Sequence, residues 1–305
     1  MLFSIALILA PLFIGYAIEI KQPRLIQLIN TSLSKMVYII LAIMGYNLAF
    51  IDNLASNLTR LVLICSVFIS AITFFNLAGL FLFRRYLQWS KETAQGGKFK
   101  LTPAMFKDSA SMVAIVAGGF ALGLFGHWHL PYQTQLSDYV LMLLLALIGL
   151  QLRASDLTLR QVLLDHRGML IAAIVFISTL PAALLAGWLL DIPKPLALAL
   201  SSGFGWYSLS GILISGQVNA LMGSSAFFID LLRELIAIIL IPLLMPISQS
   251  AAIGYGGATS MDFTLPIIAK SGGTQCVPVA IVSGFLLSLA CPAFIAIWLS
   301  FYISG

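Results

Sequence analysis

Read for hydrophobic and polar positions, the chain is a succession of long apolar runs joined by short polar segments. Six runs come first: Leu2–Ile20, Leu33–Ile51, Leu61–Phe83, Met112–Phe125, Tyr139–Leu152 and Met169–Leu190. A helix of about 20 apolar residues crosses the hydrocarbon of a bilayer, and neither the strict alternation of a membrane strand nor a soluble amphipathic pattern occurs here. The pattern then becomes irregular. Leu196–Val218 is apolar but interrupted by Gly203, Gly205 and Gly211, with Ser201, Ser202, Ser208 and Ser210 interspersed. Ala226–Leu244 is a hydrophobic helix carrying Asp230, Arg233 and Glu234. Ile253–Ile268 is broken again, at Gly256 and Gly257, holds Ser260, Asp262 and Phe263, and is stopped by Pro266. Val277–Phe301 closes the chain, with Pro292 expected to kink it.

The predicted fold class is an all-α polytopic membrane protein of about eight transmembrane helices plus two Gly-broken segments, re-entrant or discontinuous. If the broken segments cross, the count is ten. Two parts are expected: residues 1–192, a six-helix unit of three plus three, and residues 193–305, the broken-helix part with the acids. An internal echo supports the division. Ala42-I-M-Gly45-Y-N-Leu48-A-F-I-Asp52 aligns without gaps on Ala146-L-I-Gly149-L-Q-Leu152-R-A-S-Asp156, and Pro11–Tyr16 resembles Gly119–Leu124. Tyr207-S-L-S echoes Phe263-T-L-P. Three-helix units in opposite orientation are the inverted-repeat plan of many secondary transporters.

Composition sharpens this picture. The 305 residues are 60% hydrophobic and 9% charged, with mean hydropathy +1.03, outside the range of soluble domains. The net charge of +5 does not form a nucleic-acid face, because the basic residues lie in particular loops. With the N-terminus outside, twelve of the 16 Lys and Arg fall in cytoplasmic loops, six of them in the Arg84–Lys107 linker, and only Arg60 and Lys194 on the other side. Both termini are therefore expected to face the periplasm of an inner membrane. The first run lacks a basic leader and a small-residue cleavage site and is expected to be retained. Cys65, Cys276 and Cys291 have no metal-ligand spacing and read as packing residues.

Chemistry concentrates in the irregular part. Backbone interrupted at membrane depth is tolerated only where it is buried or lines a wet cavity, and half-helix ends supply N–H groups for anions and carbonyls for cations. S-G-F-G-W-Y-S-L-S-G offers glycines for the break, Trp206 and Tyr207 for stacking, and Ser208 and Ser210 for polar contacts. An ionised group at the bilayer centre costs on the order of 2.5–3.5 kcal/mol on insertion scales, so the acids here are site candidates. Asp230 can bridge Arg233 on its own helix, leaving Glu234 to face Asp262 across a cavity. Two converging carboxylates in low dielectric resist ionising together, and such a pair can exchange a proton for an ammonium group. The structural alternative is that Arg233 neutralises one of them in a buried bridge. His127 and His129 around Trp128, and His166, have no third ligand and read as interfacial; Asp52 and Asp156 read as helix caps, Asn47 and Gln151 as cavity-lining.

The segments G-F-G-W-Y-S-L-S-G-I-L, S-S-A-F-F-I-D-L-L-R-E-L-I-A-I and G-A-T-S-M-D-F-T-L-P resemble the LysO family of bacterial L-lysine exporters. L-A-F-I-D-N-L-A-S-N-L and I-G-L-Q-L extend the resemblance more loosely over most of the chain; the Arg84–Lys107 linker has no clear match. The resemblance implies an inner-membrane exporter of L-lysine and of analogues such as thialysine, not an enzyme, in which an intramembrane acidic pair is essential. By motif that pair is Glu234 and Asp262. Lysine suits such a site: its ammonium groups need carboxylates, and its own carboxylate needs Arg233 or a half-helix N-terminus. Its stem can lie against Trp206, Tyr207 or Phe263. The expected partners are L-lysine, protons and the lipid bilayer, with no cofactor or metal. The competing readings are a Na⁺ or other cation/proton antiporter on the same carboxylates, a channel, for which no carbonyl filter is present, and an intramembrane protease. All three His lie outside the apolar helices, against a serine protease. An aspartyl protease needs two Asp in a G-x-G-D context, and M-D lacks it.

Overall fold

In the computed structural model the described residues are 10–18 except 12, 22–50, 54–84, 86–87, 107–126, 142–150 except 144, 153, and 165–304 except 274. Among them every regular element is helical. Ten helices are named here: α1 (Pro23–Ala49), α2 (Leu54–Leu82), α3 (Lys107–Gly126), α4 (His166–Leu189), α5 (Lys194–Ser201), α6 (Tyr207–Gln217), α7 (Ala220–Leu244), α8 (Gln249–Gly256), α9 (Leu265–Gly272) and α10 (Cys276–Ser304). A short 3₁₀ turn, Gly257–Met261, joins α8 to α9.

Four described helices are long and apolar enough to cross a membrane, with spans at Arg24–Ala49, Ala55–Leu82, His166–Leu189 and Cys276–Ser304. At 25 residues α7 is as long, but it carries Asp230, Arg233 and Glu234 in its middle. The helices outrun the apolar runs where polar residues can cap them. Asp165 accepts from the backbone N–H groups of Arg167 and Gly168 at the start of α4. Asn219 accepts from Met222 N at 2.9 Å and starts α7 six residues before the apolar run. Pro292 lies inside α10 and does not end it.

Small residues set how closely the helices approach. A Cβ on Gly45 of α1 would strike the Val116 carbonyl of α3, and one on Gly119 of α3 would strike the Ala42 carbonyl of α1. Gly15 meets the backbone at Ala146 in the same way. Lipid tails are as apolar as leucine, so close backbone packing and interhelical hydrogen bonds hold such helices together. Between α2 and α4 the bond is polar: Asn76 Oδ1, fully buried, accepts from Ser178 Oγ at 2.6 Å and Thr179 Oγ1 at 3.1 Å. Cys65, Cys276 and Cys291 are buried free thiols, as packing residues should be.

Around this α2–α4 seam, α2 packs on α7 and α8 while α4 packs on α10 and α5. The interrupted pairs α5–α6 and α8–α9 lie against α7 and α10. Gly211, expected as a third point of interruption, instead lies within α6. Its missing side chain admits Phe227 of α7, whose Cβ a methyl there would overlap.

Residues 85 and 88–106 of the Arg84–Lys107 linker, and Asp52, Gln151, Asp156, His127, Trp128 and His129, lie outside the described residues. His166 is exposed at the first position of α4, and Asn47 is half-buried in the last turn of α1.

Candidate functional site

The two interruptions meet. α5 ends at Ser201, and the chain turns through Phe204 (φ 52°) and Gly205 (φ 95°) before α6 begins at Tyr207. α8 ends at Gly256, and Gly257 (φ 62°) turns the chain into the 3₁₀ segment. These are left-handed conformations that glycine adopts without a Cβ penalty. Ala258 N donates to the Phe204 carbonyl at 2.9 Å, joining the two breaks backbone to backbone. There is no room for a side chain at this contact, since a Cβ on Gly257 would collide with the same carbonyl. Gly203 and Gly205 lie in the first break, and Gly256 and Gly257 at the second.

Helix α7 runs beside this crossing and presents Asp230 and Arg233 to it. Asp230 is 2% exposed; its Oδ1 accepts from Gly205 N at 2.7 Å and its Oδ2 from Ser210 Oγ at 2.5 Å. Gly203 packs directly on that carboxylate. Arg233, 1% exposed, sends Nε toward the Tyr255 carbonyl at 3.4 Å and Nη2 toward the Gly254 carbonyl at 3.5 Å. Its guanidinium carbon lies 5.8 Å from the centroid of the Tyr255 ring, and Nη1 has no hydrogen-bond partner among the described residues. Tyr255 is anchored in turn by a 2.7 Å bond between its hydroxyl and Thr73 Oγ1 of α2.

The arrangement is electrostatically ordered. The Gly205 N–H belongs to the turn that opens α6, the end where a helix carries partial positive charge, and it faces Asp230. The Gly254 and Tyr255 carbonyls belong to the last turn of α8, the partially negative end, and they face Arg233. Along the sequence, Asp230 could bridge Arg233 on the same helix. In the folded chain their hydrogen bonds go to the ends of two different half-helices. The signal available beforehand was only their i, i+3 spacing, which put both on one face of α7.

Glu234 is buried, 1% exposed, one turn beyond Asp230. Asp262 has different surroundings. It is exposed between the 3₁₀ turn and α9, with Oδ1 accepting from Phe263 N at 2.5 Å. The helix that Asp262 precedes, α9, packs on α7. Ser260 is fully buried and donates to the carbonyls of Gly257 and Ala280, tying the second break to α10, where Gly284 makes room for it. Tyr207 stands edge-on to Phe227, with ring centroids 5.7 Å apart. Trp206, Ser208 and Phe263 are half-buried around the breaks. Among the described residues no group of His, Cys, Asp and Glu is arranged to hold a metal ion. A groove of about 400 Å³ at the α4–α5 junction, lined by Trp188, Asp191 and Lys194 among others, includes none of these site residues.

Comparison with known proteins gives a consistent result. Residues 113–299 match the family model described as "Lysine exporter LysO". The chain is 47% identical to the protein named "Lysine exporter LysO" of Escherichia coli K12, over 96% of this chain and 98% of that one. A relative from Haemophilus influenzae is 41% identical, over 63% of this chain and 96% of its own. No solved structure matches the chain.

Proposed function

The chain belongs to the LysO family, and from that membership and the site's geometry we propose that it exports L-lysine, and analogues such as thialysine, across the bacterial inner membrane in exchange for protons. The observation that carries the proposal is the position of Glu234. An acid is held at 1% exposure in the middle of a 25-residue helix, one turn beyond Asp230, whose carboxylate accepts from the first break. Burying an ionisable group at that depth is costly and is expected where a charge is exchanged.

In this reading Glu234 and Asp262 form the exchange site. Protons arriving from outside neutralise the pair and release lysine outward; the deprotonated pair takes the ammonium of the next lysine from the cytoplasm. Asp262, being exposed, is the member in reach of water, and Glu234 is the member screened from it. The unpartnered Nη1 of Arg233 is a donor for the substrate's carboxylate. Trp206, Tyr207 and Phe263 flank its stem, and Ser208, Ser210 and Ser260 supply polar contacts or brace the breaks.

The architecture assigned with this function is inverted repeats of three plus three helices in residues 1–192, followed by two broken-helix units in 193–305, with both termini periplasmic. Its support is the paired packing: α2 lies on α7 as α4 lies on α10, and the small-residue contacts of Gly15 with Ala146 and Gly119 with Ala42 join echoed segments.

The test is labelled-lysine counterflow in proteoliposomes, with and without a pH gradient, competed by Na⁺, ornithine and arginine. Lysine uptake accelerated by counterflow, driven by a pH gradient and insensitive to Na⁺ is expected. Indifference to the gradient would remove the proton exchange, and competition by Na⁺ without lysine transport would replace the substrate.

A further inference from the structure

We propose that Asp230 is a positioning residue: a fixed internal anion that fills the N-terminal end of α6 and thereby leaves the transported amino acid's carboxylate to Arg233. The inference builds on the lysine-export reading and decides between the two receivers of that carboxylate, Arg233 and a half-helix N-terminus.

Helix α6 begins without a cap of its own, because its N-cap residue is Trp206, whose side chain makes no capping bond. The missing acceptor is supplied from another helix. Both oxygens of Asp230 are engaged, one by the Gly205 N–H and one by the Ser210 hydroxyl. Gly203 closes over the carboxylate so tightly that a single methyl there would overlap it. A helix N-terminus attracts anions through its free N–H groups and partial charge. Here that attraction is already satisfied by a tethered carboxylate. A second carboxylate arriving from a substrate would meet like charge in a water-poor setting, which disfavours it.

Three residues on, the cation offers the opposite situation. Arg233 places two nitrogens toward the α8 carbonyls and, among the described residues, Nη1 has no partner, although the residue is 1% exposed. A buried guanidinium N–H without an acceptor is rare and costly. A substrate carboxylate would satisfy it. Helix α7 thus sorts two roles by position: Asp230 holds the break, and Arg233 both holds the opposite break and receives the substrate.

The experiment uses the full chain in proteoliposomes and reads maximal rate and half-saturating lysine concentration separately in counterflow. Asp230→Asn keeps the shape and removes the charge. It is expected to lower the maximal rate at least about tenfold, the order of one charged hydrogen bond, with half-saturation within about twofold of the parent. Arg233→Gln is expected to raise the half-saturating concentration at least about tenfold. Wild-type kinetics for Asp230→Asn, or a raised half-saturation at unchanged maximal rate, would overturn the positioning role. Wild-type half-saturation for Arg233→Gln would remove Arg233 as receiver.

Amide hydrogen exchange in lipid gives a readout independent of transport. In Asp230→Asn the amides of residues 203–209 are expected to exchange at least about tenfold faster than in the parent while α2 and α4 stay protected. Unchanged exchange there would overturn the assignment even if lysine is transported. A parent chain that moves no lysine would instead end the export reading alone. Should Asp230→Asn fail to fold, Ser210→Ala removes only the hydroxyl donor and must loosen the same amides; if it does not, the assignment falls.

Discussion

The contact between the two breaks can be tested by adding one methyl group at a time. At Gly257 an alanine meets two obstacles. Its φ of 62° is left-handed, which costs an L-residue roughly 1–2 kcal/mol. Its Cβ would also overlap the Phe204 carbonyl, so the break must shift and the 2.9 Å bond from Ala258 N is lost, a further cost of about 0.5–1.5 kcal/mol. Gly257→Ala should therefore destabilise by roughly 1.5–3.5 kcal/mol before any steric strain that remains. Gly205 separates the terms: its φ of 95° is also forbidding, but the nearest atoms to an added Cβ lie at 3.7 Å, so Gly205→Ala carries the conformational cost alone. Gly216, inside α6, has nothing within 4 Å of an added Cβ, and alanine there should be neutral or stabilise by up to about 1 kcal/mol. The assay is thermal melting of the three purified variants in detergent, followed by lysine counterflow of those that fold. The expected order of stability is Gly216→Ala, then Gly205→Ala, then Gly257→Ala, with transport lost first at Gly257. If Gly257→Ala melts with Gly216→Ala, the two breaks are not in contact and the proposed site loses its frame.

The remaining predictions concern the acids and the seam. Glu234→Gln and Asp262→Asn should each abolish pH-driven lysine counterflow. Asp262→Asn should melt within about 0.5 kcal/mol of the parent, because its side chain is exposed; transport that survives in both variants would refute the exchange pair. Asn76→Ala leaves the hydroxyls of Ser178 and Thr179 without their shared side-chain acceptor between α2 and α4. A loss of about 1–3 kcal/mol in melting experiments is expected, without a change in half-saturating lysine; a shift in lysine affinity alone would show that this seam belongs to the binding site.

Much of the frame was legible because it follows from local quantities. The apolar runs predicted α2 to α4 and α10 to within seven residues, whereas α1 begins ten residues before its run, and the caps of α4 and α7, Asp165 and Asn219, were not singled out in the sequence. The interruptions at Gly203–Gly205 and Gly256–Gly257 announced themselves through glycine in apolar context. Gly211 carried the same signal for a different reason, since a glycine that breaks a helix and one that admits a neighbouring ring are alike in composition. Asp230 was the larger omission. Spacing along one helix suggested Arg233 as its partner, whereas Gly205, 25 residues away, takes the bond.

Hydropathy and charge along the chain determined that this protein is a helical membrane protein, that its last third is interrupted twice, and that the acids of α7 and the second break are its exceptional residues. Those conclusions need only the cost of placing each residue in hydrocarbon, which is a property of the residue and its near neighbours. The tertiary structure decided that Phe204 and Ala258 join the breaks, that Asp230 and Arg233 face opposite half-helix ends, and that Glu234 is buried where Asp262 is open. Partners at that separation are chosen by how closely backbones can pack and which hydrogen bonds can be satisfied once the helices are together, and lipid supplies no apolar bias that would write the choice into the pattern of the chain.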